Sequence, residues 1–254
     1  MLTAANLLQQ AVGLLTHSPL KTLTVVAPAL VLMAGVGVFA AVAAPELLIT
    51  GPSQAHIADL SSGVMTMTVL AAFMVSYAMM AVLWHRHTLA ETRNAQPLSA
   101  RLLLGYLWRV LALAMVQLVV SMALVIPLVL FSRGADGGSG TPALASVLLS
   151  TFITQLVLLW LSLRLSLILP AAALGKPIRM TLSWRYTQPI ARSLWGVAAA
   201  LALTNTALTG LVTLLDFASP GHRLAIELPI YVLEGLLIFS VLTTLYSLQT
   251  QKAA

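Results

Sequence analysis

Six stretches of this chain are too long and too apolar to lie on the surface of a water-soluble globule: Thr22–Ala44, Gly63–Trp84, Leu102–Phe131, Pro142–Leu163, Leu194–Leu215 and Leu224–Leu248. Crossing the hydrocarbon core of a bilayer takes about 20 mainly apolar residues as a helix, and each run meets that length. Water is absent there, so the backbone N–H and C=O groups of each run must pair within the run, which helix alone achieves in a single segment. The expected fold is all-α: a polytopic membrane protein with six transmembrane helices in one integral domain, residues 1–254.

Composition excludes the main alternatives. Of 254 residues 59% are hydrophobic and 8% charged, and mean hydropathy is +0.97, so there are too few charges to cover a soluble body of this size. A formal charge of +6 and a pI near 10.2 would suit a nucleic-acid binder. The basic residues, however, are dispersed among the ends of the apolar runs, and no nucleic-acid partner is expected. Cysteine is absent, which removes disulfides, thiolate metal sites and a cysteine nucleophile. Ala40-Ala41-Val42-Ala43-Ala44 offers small residues after an apolar run, but the run is of full spanning length and Pro45 would follow the cut, so no signal-peptide cleavage is expected. Arg outnumbers Lys ten to three beside abundant Ala and Leu, which fits a GC-rich bacterial genome.

Orientation follows from the basic residues. Lys21, Arg86, Arg93, Arg101, Arg109, Arg164, Lys176, Arg179, Arg185, Arg192 and Lys252 fall at one set of ends, whereas Arg133 and Arg223 fall at the other. By the positive-inside rule the first set is cytoplasmic, with both termini inside and the protein in the bacterial inner membrane. Five of the thirteen basic residues lie in Arg164–Trp195, without an acid, which reads as a membrane-facing cytoplasmic segment. Within it Leu169–Pro177 reads as a helix stop, and Ile178–Tyr186 as a short amphipathic helix. The opposite connectors, Pro45–Ser62, the Gly-rich Arg133–Gly140 and Asp216–Arg223 with its Ser219-Pro220-Gly221 turn, are too short to fold as domains.

Pro19-Leu20-Lys21, Pro97-Leu98-Ser99-Ala100-Arg101 and Pro189-Ile190-Ala191-Arg192 each precede a pair of runs. Before each lies a segment of intermediate polarity: Ala5–Thr16, Thr88–Gln96 and Ile178–Thr187. In the first, Leu7, Leu8, Val12 and Leu15 recur near helical spacing opposite Asn6, Gln9 and Gln10. The pattern predicts three hairpins, each preceded by a cytoplasmic interfacial helix.

That order, with Arg164-Leu165-Ser166-Leu167-Ile168-Leu169-Pro170 closing the fourth run and Ser183-Trp184-Arg185-Tyr186-Thr187 before the fifth, resembles a loose group of bacterial six-helix inner-membrane proteins. It is also similar to the membrane domain fused to some glycerophosphodiester phosphodiesterases. No soluble phosphodiesterase domain lies within these residues, so the resemblance implies a fold and not that activity.

Glu234 is the most suggestive residue, because an ionisable group about ten residues into a span should lie where charge is costly. Gln117 with Ser121, Gln155, and Asn205 with Thr204 and Thr206 sit at comparable depth. These groups either line one polar cavity, with Glu234 carrying a proton or cation, or form interhelical hydrogen bonds worth about 1 kcal/mol each. Arg109, Arg164 and Arg185 are candidate contacts to lipid headgroups. For Arg109 and Arg164, which stand beside Trp108 and near Trp160, snorkelling is the simpler account. His85-Arg86-His87 reads as a basic interfacial cap and not a metal site, since residues two apart share no helix face. Ala34, Gly35, Gly37, Ala40, Ala41 and Ala44 suit close packing inside the protein, or a homodimer seam with Gly37 and Ala41 as its small pair.

Catalytic patterns fail. Gly175-Lys176 lacks the glycine loop and the following Ser or Thr of a phosphate-binding loop, and Gly137-Gly138-Ser139-Gly140 lacks the strand and helix of a nucleophile elbow. The expected role is non-enzymatic and without cofactor: membrane organisation, assembly support for another membrane protein, or lipid handling. The alternative is a small ion-coupled transporter using Glu234 and the midplane amides.

Overall fold

Thr3 opens the first helix, its hydroxyl accepting the Asn6 N–H at 3.3 Å as an N-cap. The computed structural model describes residues 3–43, 60–90, 97–135, 144–215 and 220–251, and within them every regular element is helical. After α1 (Ala4–Thr16) come α2 (Pro19–Ala43), α3 (Leu60–Ala90), α4 (Ala100–Ala135) and α5 (Leu144–Leu165). A short α6 (Ile168–Ala173) and α7 (Met180–Thr187) follow, the latter passing through a 3-10 turn (Gln188–Ile190) into α8 (Ala191–Leu215), and α9 (Pro220–Gln251) ends the described chain.

Six helical stretches are long and apolar enough to cross a membrane: Pro19–Val42, Gly63–Leu89, Ala100–Pro127, Ala145–Leu165, Met180–Leu211 and Leu228–Gln249. Each overlaps one of the six runs expected from sequence, with two shifts: the fifth begins at Met180 instead of Leu194, and α3 passes Trp84 without a break and ends at Ala90. Thr88–Ala90 are therefore the last turn of a span and no separate interfacial helix, while 91–96 lie outside the described residues. So do 44–59, 136–143 and 216–219, which hold most of the three opposite connectors. Pro220 is the first residue of α9, where its missing N–H is harmless, in place of the expected turn.

Half of the spanning part of α9 is buried, against 6% for α4 and α5, so α9 forms the axis of the bundle. The pairs α2 with α3 and α4 with α5 pack on each other, as hairpins would. The third pair differs. α8 packs chiefly on α5, because α1 is wedged between α8 and α9 at one end of the bundle. Leu7 and Ala11 of α1, both 0% exposed, meet Leu194, Val197 and Ala198 of α8 and Val241, Leu242 and Leu245 of α9. Gly196 makes the wedge possible: a Cβ there would come within 2.7 Å of the Ala4 Cβ. The buried stripe is thus centred on Leu7 and Ala11, and Val12 is left exposed.

The expected helix stop at Leu169–Pro177 is a buried plug rather than a membrane-facing loop. Every residue of α6 is buried, packed among α3, α4 and α9. Its end is a Schellman motif: Lys176 N–H donates to the Ala171 carbonyl and Gly175 N–H to that of Ala172, both at 2.9 Å. That motif needs a left-handed residue, and Gly175 supplies it at φ 77°. In α2, Val36 and Ala40 pack on Val69 of α3, but a Cβ on Gly35 or Gly37 would meet nothing within 4 Å. Close internal packing therefore does not explain those two glycines.

Candidate functional site

The joint between α1 and α2 follows local rules. The Thr16 hydroxyl folds back to the Val12 carbonyl at 3.0 Å, the His17 N–H closes on the Gly13 carbonyl, and Pro19 begins α2. Beside this joint opens a cleft of about 700 Å³, walled by α1, the start of α2, and the ends of α3 and α9. Its charged and ring-nitrogen groups are Lys21, His17 and His87, its apolar wall is Leu14, Trp84 and Leu89, Thr22, Thr88, Thr243 and Thr244 supply hydroxyls together with Ser18 and Ser247, and Gln10 adds an amide. A site that combines a cation, hydroxyls and an apolar flank suits an amphiphile with a phosphate head.

The expected His85-Arg86-His87 cap is taken apart by the extra turn of α3. His85 is 0% exposed, with Phe239 edge-on at 5.7 Å and its Nδ1 2.9 Å from the Thr243 Oγ1. Thr243 spends its proton on the Phe239 carbonyl at 2.8 Å, so His85 must donate from Nδ1, which leaves Nε2 as a lone-pair acceptor. Among the described residues that Nε2 has no partner, nor has the indole N–H of Trp84; both atoms are buried, although the Trp84 side chain contributes to the cleft wall. Arg86 donates to the Ala173 carbonyl at 3.2 Å, capping α6, and only His87 reaches the cleft.

The candidate headgroup arginines separate. Arg164 is 6% exposed, and its guanidinium lies 3.4 Å from the Trp184 ring centroid and 5.3 Å from that of Trp160. It donates to the Trp184 carbonyl at 3.1 Å and to the Thr187 hydroxyl at 3.4 Å, while Ser183 donates to its carbonyl at 2.7 Å. Trp160 in turn stacks on Trp195 at 4.7 Å. This arginine therefore binds the end of α5 to α7 and α8 rather than snorkelling to headgroups, because cation–π stacking and two hydrogen-bond acceptors are already in place around it. Arg109 folds back to the Gly105 carbonyl at 2.6 Å and lines, with Ser99 and Arg101, a notch of about 200 Å³ beside Gly175. Arg185 is exposed on α7.

Of the four midplane residues, the fold joins two. Asn205 Nδ2 of α8 donates to Glu234 Oε1 of α9 at 3.2 Å, and Tyr77 of α3 packs so closely over Gly235 that a Cβ there would collide with its hydroxyl. Gln117 and Gln155, half-buried on α4 and α5, form no hydrogen bond with that pair among the described residues. Neither the cleft nor the notch is lined by any of the four.

Sequence reasoning passed over the hydroxyl wall of the cleft. One signal was present: Ser240, Thr243, Thr244 and Ser247 recur at i, i+3, i+4 and i+7, a polar stripe on a spanning helix. Six helices of spanning length and apolar character make this chain a multi-pass integral membrane protein. Compared with protein-family models, curated proteins and solved structures, it matches none of them significantly.

Proposed function

We propose that this chain is a non-enzymatic protein of the bacterial inner membrane, with both termini in the cytoplasm. It holds phospholipid headgroups at its cytoplasmic rim, as an organiser or handler of lipid or in support of another membrane protein. The cleft at the α1–α2 joint carries this reading: Lys21 gives it positive charge, His17 and His87 ring N–H donors, and Leu14 and Leu89 an apolar flank. Its place at the end of the bundle shared by Arg86, Arg101, Arg109 and Arg164 fits the leaflet where anionic lipid meets basic protein. Native mass spectrometry of the protein purified in mild detergent from a bacterial polar-lipid extract tests it. Lys21→Ala is expected to lower retained phospholipid about fivefold, from about 1 kcal/mol per basic residue near such a surface. Gln117→Ala, half-buried on α4 and outside the cleft, should retain the wild-type amount. Equal retention in wild type and Lys21→Ala overturns the proposal.

A second reading, an ion-coupled permease, is favoured by the Asn205–Glu234 hydrogen bond, which puts a carboxyl group deep in a spanning helix. In proteoliposomes it requires an ion or proton flux that Glu234→Gln abolishes. Flux unchanged by that substitution, or absent in wild type, removes it.

A further inference from the structure

The four threonines that line the cleft share a hydrogen-bonding habit that narrows what can bind there, given the lipid reading on which this step rests. Thr22 donates to the Ser18 carbonyl at 3.2 Å, Thr88 to that of Trp84 at 2.9 Å, Thr243 to that of Phe239 at 2.8 Å, and Thr244 to that of Ser240 at 2.9 Å. Each proton is turned back into its own helix, and a hydroxyl has only one. What these oxygens still offer is lone pairs, so any of them that meets a ligand meets it as an acceptor. The N–H donors of the wall are those of Lys21, of the Gln10 amide and of the His17 and His87 rings.

A cleft divided in this way, positive charge and N–H toward an acceptor, threonine lone pairs toward a donor, matches a ligand divided the other way. We infer that the cleft selects a phospholipid whose headgroup joins a phosphate to a donor-bearing ammonium, the phosphoethanolamine class. The phosphate meets Lys21 and the His17 and His87 N–H groups, and the ammonium meets the threonine oxygens, where an N⁺–H···O bond is stronger than one between neutral groups. A trimethylammonium head has the same charge and no N–H to give. A glycerol head has O–H donors and lacks the cation.

The methylation series separates these terms. The full chain in detergent is titrated with phosphatidylethanolamine, its N-methyl and N,N-dimethyl derivatives, phosphatidylcholine and phosphatidylglycerol, all with the same acyl chains, and occupancy is read by native mass spectrometry. Affinity is expected to fall with each methyl group, by about tenfold or more across the series, and phosphatidylglycerol should bind more weakly than phosphatidylethanolamine. The double substitution Thr88→Val with Thr244→Val should level the series while phosphatidylcholine binding stays as in wild type, which also shows that the variant is folded. Equal affinity for the ethanolamine and choline lipids in wild type, or preference for phosphatidylglycerol, overturns the headgroup assignment. If those lipids bind equally and Lys21→Ala still weakens them all, only the headgroup selection has failed. If Lys21→Ala weakens none of them, the lipid reading fails with it.

Discussion

At the scale of single residues, the contact that most changes the reading of this chain is the one between His85 and Thr243, 158 positions apart. An interfacial histidine would be hydrated and indifferent to its neighbours. A buried one must place its N–H, and Thr243 is the group that takes it. Thr243→Val therefore leaves a donor unpaired inside the bundle, which should cost about 1–3 kcal/mol, whereas His85→Phe with Thr243→Val removes both partners and should recover most of that loss. The double-mutant cycle, read as thermal unfolding in one detergent, is expected to show the pair coupled. Additive single effects would return His85 to the solvated cap. Nothing local marks His85 as interior, because its run of apolar residues ends at Trp84. Only the packing of α3 on α9, a nonlocal fact, extends the span by one turn and draws the ring inward.

Among the elements, the wedge of α1 departs furthest from the regular three-hairpin plan. Hydropathy along the chain shows α1 as a short amphipathic helix, which is what it is, and does not show which surface receives its apolar stripe. That surface is made by α8 and α9 together, and Gly196 is where the fit is tightest. Two glycines on spanning helices thus stand in opposite situations. Gly196→Ala drives a Cβ into Ala4, and should destabilise by about 1–3 kcal/mol and loosen α1, with loss of lipid from the adjoining cleft. Gly37→Ala enters open space, and should leave stability unchanged or raised by up to about 1 kcal/mol of helix propensity, with the unfolding temperature moving the same way. Thermal unfolding with retained lipid counted beside it checks both, and a shift in oligomeric state on Gly37→Ala would identify the homodimer seam as occupied. The same contrast explains what could be read in advance. The small residues were visible, but the one that seats another helix stands outside the small-residue run that drew notice.

For the molecule as a whole, length and hydropathy made the six spans legible, since both are properties of a contiguous segment and need no knowledge of neighbours. Burial is not such a property: α4 and α5 are as apolar as α9, yet they face outward and α9 is the axis. The order of side chains around the site follows from that arrangement, which is why the cleft was not foreseen although its lysine, tryptophan and threonines were in plain view. Orientation lies between these cases, because it depends on charge at the ends of segments and is carried by the membrane rather than by the fold. The chain has no cysteine, so single cysteines can report it without background. Arg185→Cys, exposed on α7, and Ser139→Cys, in the connector between α4 and α5, are separated by the whole of one spanning helix. With both termini in the cytoplasm, a membrane-impermeant maleimide added to intact spheroplasts should label Ser139→Cys and spare Arg185→Cys, and inverted vesicles should give the reverse. Labelling of both from one side would mean that α5 does not cross, and the lipid-facing assignment of every helix packed on it would fall. A clean exchange of the two results would keep the six spans and place the cleft, with the headgroups it selects, in the opposite leaflet.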